Sequence, residues 1–352
     1  IFKPMNFDKL HRICGWAVFA FSFLVYALTA SRSINFWDSS EFVYSAFNLE
    51  ISHPPGSPLY TLLGRVFLVI FPGNAAFGAN LFSGLCAAFT IFFLYQIITH
   101  IARKTVKKDA LGDFNNQLAV IGSGVVGALS LTFAHSFWLS ATEAEVYPLG
   151  ALMVSIILWA AFKWEEQAAS SKSDRWLLFI ALMLGLSVSV HIMSLAVIFP
   201  ITILFVVKRF GADWKRVLAG FGGGIVMFFI LQNVLVRGYL KIAGGFELIT
   251  VNGFGMGQHS GVLFLILLTL ALLAGGIFLG IRKKKRAVVT AVLGLGLFML
   301  GWSPYATTVI RSNAGTPASS EARDAIRLLG YLQSEQFACG EKPLFKGRVF
   351  NA

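Results

Sequence analysis

Charge is scarce in this 352-residue chain: Asp, Glu, Lys and Arg together make up 13%, about half the share of an ordinary soluble domain. Hydrophobic residues make up 56%, with Phe alone at 34, and mean hydropathy is +0.72. So little polar surface cannot cover so much apolar surface in water. A soluble globular enzyme and a disordered protein are therefore excluded. Cysteine is almost absent, at three residues. Cys14 and Cys86 lie in apolar runs and Cys339 in a polar tail, with no Cys-x-x-Cys and no Cys/His grouping. That excludes a disulfide scaffold and gives no sign of structural zinc. Internal repeats are also lacking, so an inverted-repeat transporter gains no support. What is left is an all-α polytopic membrane protein.

A span needs about 20 mostly apolar residues. The hydropathy pattern predicts nine, at 13–30, 78–101, 117–139, 147–163, 176–191, 192–207, 217–236, 261–281 and 288–309. The apolar segment 59–71 is short, carries Arg65 and stops at Phe71-Pro72-Gly73. It reads as an interfacial helix within a first outer loop over 31–77. With the N-terminus in the cytoplasm, the inner segments hold 19 Lys/Arg against 7 Asp/Glu, and the outer ones 10 against 10. The whole net charge of +12 then sits on one side, as the positive-inside rule requires. The run Arg282-Lys283-Lys284-Lys285-Arg286 is thus a topology anchor, and nucleic acid is not an expected partner. Residues 1–311 form the expected membrane domain. Residues 312–352 form a non-cytoplasmic tail with a short amphipathic helix at Ala325–Leu332, expected to open a further region.

The unusual polar residues fall on the outer side. Asp38 and Glu41 are spaced i, i+3, which puts both carboxylates on one helix face. Such a pair can divide acid–base work or hold a cation. The same spacing also suits a helix cap in which Asp38 caps and Glu41 reaches back. Trp37 is an interfacial aromatic or a substrate contact. His53 opens a stiff turn, His53-Pro54-Pro55-Gly56, that cannot be helix interior. A second outer loop carries Glu143 and Glu145 ahead of Tyr147-Pro148, and there Thr142 and Glu145 also have capping-box spacing. His191 lies at the next outward turn. Arg65 and Arg311 are cations at the same face, suited to an interfacial anchor or a lipid phosphate. Ionisable groups gathered at one membrane face are a functional signal.

Taken in order, Trp37-Asp38-Ser39-Ser40-Glu41-Phe42, His53-Pro54-Pro55-Gly56-Ser57-Pro58, Glu143-Ala144-Glu145-Val146-Tyr147, Ile310-Arg311-Ser312-Asn313 and Tyr331-Leu332-Gln333-Ser334-Glu335-Gln336-Phe337 resemble one family. It is a family of bacterial multispanning proteins related to vertebrate protein O-mannosyltransferases. Many members carry Gly in place of Ser40 and Arg-Glu-Gln-Tyr in place of Ser334–Phe337. The resemblance implies a GT-C glycosyltransferase fold with interfacial helices and an essential acid in the first outer loop. It also implies a bacterial inner membrane with the site facing the periplasm. The implied partners are a polyprenyl-phosphate-linked sugar, mannose by the resemblance, an acceptor protein or peptide with Ser or Thr, and the lipid bilayer.

Under that resemblance Asp38 is the expected general base, with Glu41 beside it. Arg311, then Arg65, would stabilise the leaving phosphate. Trp37, His53, Glu143, Glu145, Tyr147 and His191 would contact or orient the sugar. A divalent cation, where one is used, would sit on Glu143 and Glu145. Three rival readings are a GT-C enzyme acting on a lipid or glycan acceptor, a polytopic transporter or flippase, which would want acids near midplane where these spans carry few charges, and a scaffold subunit whose outer loops bind a partner.

Overall fold

The computed structural model describes residues 6–170, 172–315 and 322–335. Those residues fold as helices joined by turns, without strands. Among the described residues, eight helices are long and apolar enough to cross a membrane. The all-α polytopic class stands, but the number of long spans differs from the nine expected. Segment 176–191 forms α8 (Asp174–Val188), of 15 residues, because the chain leaves the helix at Ser189 and turns through His191.

Helix α1 (Phe7–Thr29) leads into the loop over 30–74, expected to be the first outer one. That loop holds α2 (Asp38–Asn48) and α3 (Pro58–Ile70), the latter a short apolar helix of 13 residues. Helix α4 (Ala75–Arg103) returns. The expected span 117–139 breaks at Phe133-Ala134 into α5 (Phe114–Thr132) and a short α6 (His135–Thr142). Helix α7 (Val146–Glu166) and the segment Ile192–Phe210, which ends in α9 (Ile198–Phe210), lie on either side of α8 in the chain.

The segment expected to span at 217–236 is a helix of 40 residues, Trp214–Gly253. It comprises α10 (Trp214–Phe229) and α11 (Tyr239–Leu248) joined and ended by wide π-type turns. At 1.5 Å per residue it is about 60 Å long, twice a hydrocarbon core of about 30 Å. Arg237, Lys241 and Glu247 interrupt its hydropathy, which hides the helix in the sequence. Glu247 is buried and accepts from the backbone N–H groups of His259, Gly261 (3.0 Å) and Val262 (3.3 Å). It thereby caps α12 (Ser260–Arg282). Helices α13 (Arg286–Trp302), α14 (Tyr305–Asn313) and α15 (Ala325–Leu332) complete the described chain.

The basic ends gather at one end of the bundle. Lys104 pairs with Glu165, Lys163 lies 2.9 Å from Glu166 and Arg286 lies 2.5 Å from Asp174. At the other end, Ser31 N–H donates to Thr142 O (3.1 Å) and Asn80 Nδ2 to Ser31 O (2.8 Å). The chain at Ser31 and the turn after Thr142 therefore share one face, which positions the site.

Lipid offers no hydrophobic drive between helices, so small residues set their approach. Helices α8 and α13 cross at Gly185 and Gly301, where an added Cβ would run into the backbone carbonyls of Phe298 and Leu182. A backbone atom cannot rotate aside. Gly185→Val is expected to destabilise the bundle by about 3 kcal/mol, at the upper end of overpacking costs. Thermal unfolding in lipid nanodiscs reads this, and an unchanged melting temperature would contradict the close crossing.

Candidate active site

The N-terminus of α2 is where the acids of these two turns meet. Trp37 precedes it with φ 63°, a left-handed backbone that a bulky residue adopts only under constraint. Its indole is 91% exposed, so the site is open at this side. No side chain caps α2, which removes the capping-box alternative for Asp38 and Glu41. Glu41 turns instead to the loop after α2. One carboxylate oxygen accepts the His53 backbone N–H at 2.5 Å, and the other pairs with His53 Nδ1 at 2.9 Å. Held at both points, the ring presents Nε2 to Asp38 Oδ2 at 4.0 Å.

Donor atoms of Asp38, Glu41 and His53 lie within 4.8 Å of one another, a spacing able to hold a metal ion. In such an arrangement Glu41 would orient the imidazole while Nε2 and Asp38 bind, the carboxylate–histidine–metal pattern. The sequence offers two acid pairs for a cation, Asp38 with Glu41 and Glu143 with Glu145. Among the described residues, the cluster that forms contains the first pair, joined by His53.

Electrostatics tie Glu145 to the same group. Burial, then the negative charges of Asp38 and Glu143, push its carboxyl up to about 7. Oε2 of Glu145 is buried without a hydrogen-bond partner. The expected Thr142 capping box is absent, since the Thr142 hydroxyl donates to Trp138 O at 3.1 Å. The hydrogen bond that His53 donates to Glu41 raises the His53 pKa against the opposing effect of burial, and the charges of Glu41, Asp38 and Glu145 add to it.

Both groups make the fold pH-sensitive in one direction. A carboxyl that titrates near 7 when folded and near 4.5 otherwise favours the folded state at low pH, and that advantage is lost as pH rises between those values. The raised His53 likewise stabilises below its ordinary value and loses that contribution as pH rises through its folded value. Glu145→Gln is therefore expected to raise the melting temperature at pH 8 and leave it unchanged at pH 4.5. Equal shifts at both pH values would contradict the buried acid.

The remaining expected residues lie apart from this triad. Tyr147 and His191 form a ring pair, 5.5 Å between centroids, with His191 Nδ1 accepting from Met193 N–H at 3.3 Å. Arg65 donates to Phe47 O and lies 5.7 Å over the Phe47 ring. Arg311 donates to Asn48 O at 3.3 Å and pairs with Glu50 at 3.8 Å. Both arginines thus serve the C-terminal end of α2, the favourable end for cations. The eleven residues of α2 put about 16 Å between its ends. The structure does not bring Arg311 or Arg65 to Asp38.

Sequence reasoning gave no site role to three residues, although Tyr331 opens one of the quoted motifs. Glu50 is buried and lines a cavity of about 120 Å³ with Arg311, Thr307 and Thr308. Tyr305 and Tyr331 reach the loop that carries His53. An apolar groove of about 500 Å³ runs between α11, α12, α13, α14 and α15, and Ile310 lines both it and the cavity beside Arg311.

Comparison with known proteins adds a family to this geometry. Residues 38–214 match the model described as the protein O-mannosyl-transferase TMEM260 N-terminal domain. Protein O-mannosyl-transferase TMEM260 of Mus musculus is 29% identical over 172 residues, 49% of this chain and 22% of its own length. Its counterpart in Dictyostelium discoideum is 25% identical over 153 residues, 44% of this chain and 17% of its own length. The matches thus span about a fifth of those relatives. No solved structure matches the chain.

Proposed function

The chain belongs to the family of the protein O-mannosyl-transferase TMEM260 N-terminal domain, and from that membership we propose that it moves a mannosyl group from a polyprenyl phosphate to Ser or Thr hydroxyls of proteins. One observation carries the reading: the Asp38–His53–Glu41 group stands at the bundle end opposite the Lys- and Arg-rich one, inside the matched region.

The transfer needs few parts. An acceptor hydroxyl gives its proton to the Asp38 carboxylate as its oxygen bonds to the anomeric carbon. The bond from that carbon to the phosphate oxygen breaks, and its electron pair leaves with the phosphate. Attack opposite the leaving group inverts the centre. The leaving phosphate needs a positive donor nearby. Among the residues described around Asp38, His53 is the basic group aimed at it, and its raised pKa favours the imidazolium. We assign that role to His53 in place of Arg311, because Arg311 stands at the other end of α2. Arg311 and Arg65 would draw the anionic headgroup toward the outer face. The apolar groove that meets the Arg311 cavity at Ile310 would take the prenyl chain. Glu145, Tyr147 and His191 would hydrogen-bond sugar hydroxyls.

The test is transfer itself. Protein in nanodiscs is incubated with radiolabelled polyprenyl-phosphate mannose and a Ser/Thr-rich peptide. Label on the peptide is the expected result, with none from a nucleotide sugar alone. Label appearing on lipid instead of peptide would move the acceptor to the lipid class.

A further inference from the structure

The turn that carries His53 is held from its back as well as from its front. Glu41 grips it at the His53 N–H and Nδ1. Behind it, the Tyr331 hydroxyl donates to Ser52 O at 2.6 Å, across 279 residues of sequence. The Tyr305 hydroxyl donates to Pro55 O at 3.1 Å, across 250 residues. Both phenols are buried. Gly56 N–H closes the turn on His53 O at 2.8 Å. Gly56 has φ +77°, and the space its side chain would occupy is filled by the Tyr331 ring.

We propose that Tyr331 and Tyr305 are positioning residues for the transfer, locking residues 52–56 so that His53 reaches Glu41 and Asp38 together. Helix α15, in the segment that follows the last long helix, is thereby part of the working site, although it lies beyond the matched region 38–214. This inference rests on the proposed function for its catalytic meaning and on geometry alone for the lock.

The helix is built to deliver the phenol. Asp324 caps it, accepting from Ile326 N–H (3.0 Å) and Arg327 N–H (2.9 Å). Ala325, Leu328 and Tyr331 form its buried face. Asn313 Nδ2 donates to Arg323 O at 2.8 Å, and Ala322 N–H to Ser312 Oγ at 3.2 Å, which ties the start of α15 to the end of α14. Burial also keeps the Tyr331 phenol protonated well above its ordinary range, so it stays a donor. A backbone carbonyl held in this way cannot drift, and misplacement by about 1 Å costs catalysis heavily.

Tyr331→Phe removes the hydroxyl and keeps the ring. Two readouts are taken on the full chain in nanodiscs. Hydrogen exchange follows the amides of His53, Gly56 and Ser57 without substrate. Mannosyl transfer gives kcat and the donor KM. The lock predicts exchange at residues 53–57 faster by about tenfold, with α15 as protected as in the wild type. It predicts kcat down by about tenfold with KM within about twofold. Tyr305→Phe should act in the same direction. Unchanged exchange in both variants would overturn the lock, as would exchange that rises equally throughout α15. Hydrogen exchange needs no substrate, so it judges the lock even where wild type transfers no mannose, a failure that would fall on the proposed function alone.

Discussion

Asp38→Asn is expected to lower peptide mannosylation by about 10²–10⁴-fold, the usual contribution of a general base. The loss should fall on kcat, with the donor KM within about threefold, because the amide keeps the shape of the carboxylate and loses only its basicity. The melting temperature should not move. The Asp38 side chain is 55% exposed, its nearest charged partner is 4.0 Å away, and it caps no helix. A variant that transfers at the wild-type rate would remove Asp38 from the chemistry. One that melts lower and transfers less would reassign it to the fold.

Gly56→Ala should be nearly as damaging for a different reason. A side chain at φ +77° costs about 1–2 kcal/mol in backbone strain. The new methyl would also meet the Tyr331 hydroxyl, which is fixed by its bond to Ser52 O. Either the turn or the phenol must shift, and His53 rides on that turn. Transfer is expected to fall by about a hundredfold, measured as kcat/KM against the wild type. Activity within twofold of wild type would mean that the His53 turn tolerates displacement and that its geometry is incidental.

Several parts of this arrangement are legible in the sequence. Low charge and high hydropathy give the polytopic helical class. The segregation of Lys and Arg gives one polar face, and the order of short motifs gives the family. Other parts are not legible, for physical reasons. The i, i+3 spacing of Asp38 and Glu41 fits a cap as well as a site, and only the tertiary bond from Glu41 to His53 decides between them. Arg311 follows a span, so its face can be read, but its distance from Asp38 depends on which end of α2 it meets. The length of Trp214–Gly253 is masked because charged residues in its outer half imitate a loop. Segment 176–191 looks like a span because its apolar run continues past Val188, where the helix has already ended. Tyr331 on Gly56 leaves no local trace, since a contact across so many residues has no periodicity to show.

A structure of the protein with a non-transferable phosphonate analogue of polyprenyl-phosphate mannose tests the proposed transfer site directly. The sugar is expected beside Asp38 at the N-terminal end of α2, the phosphonate toward His53 Nε2 and the prenyl chain in the groove beside Ile310. A sugar bound at the Lys- and Arg-rich end of the bundle, or seated in the Glu50–Arg311 cavity away from Asp38, would contradict it.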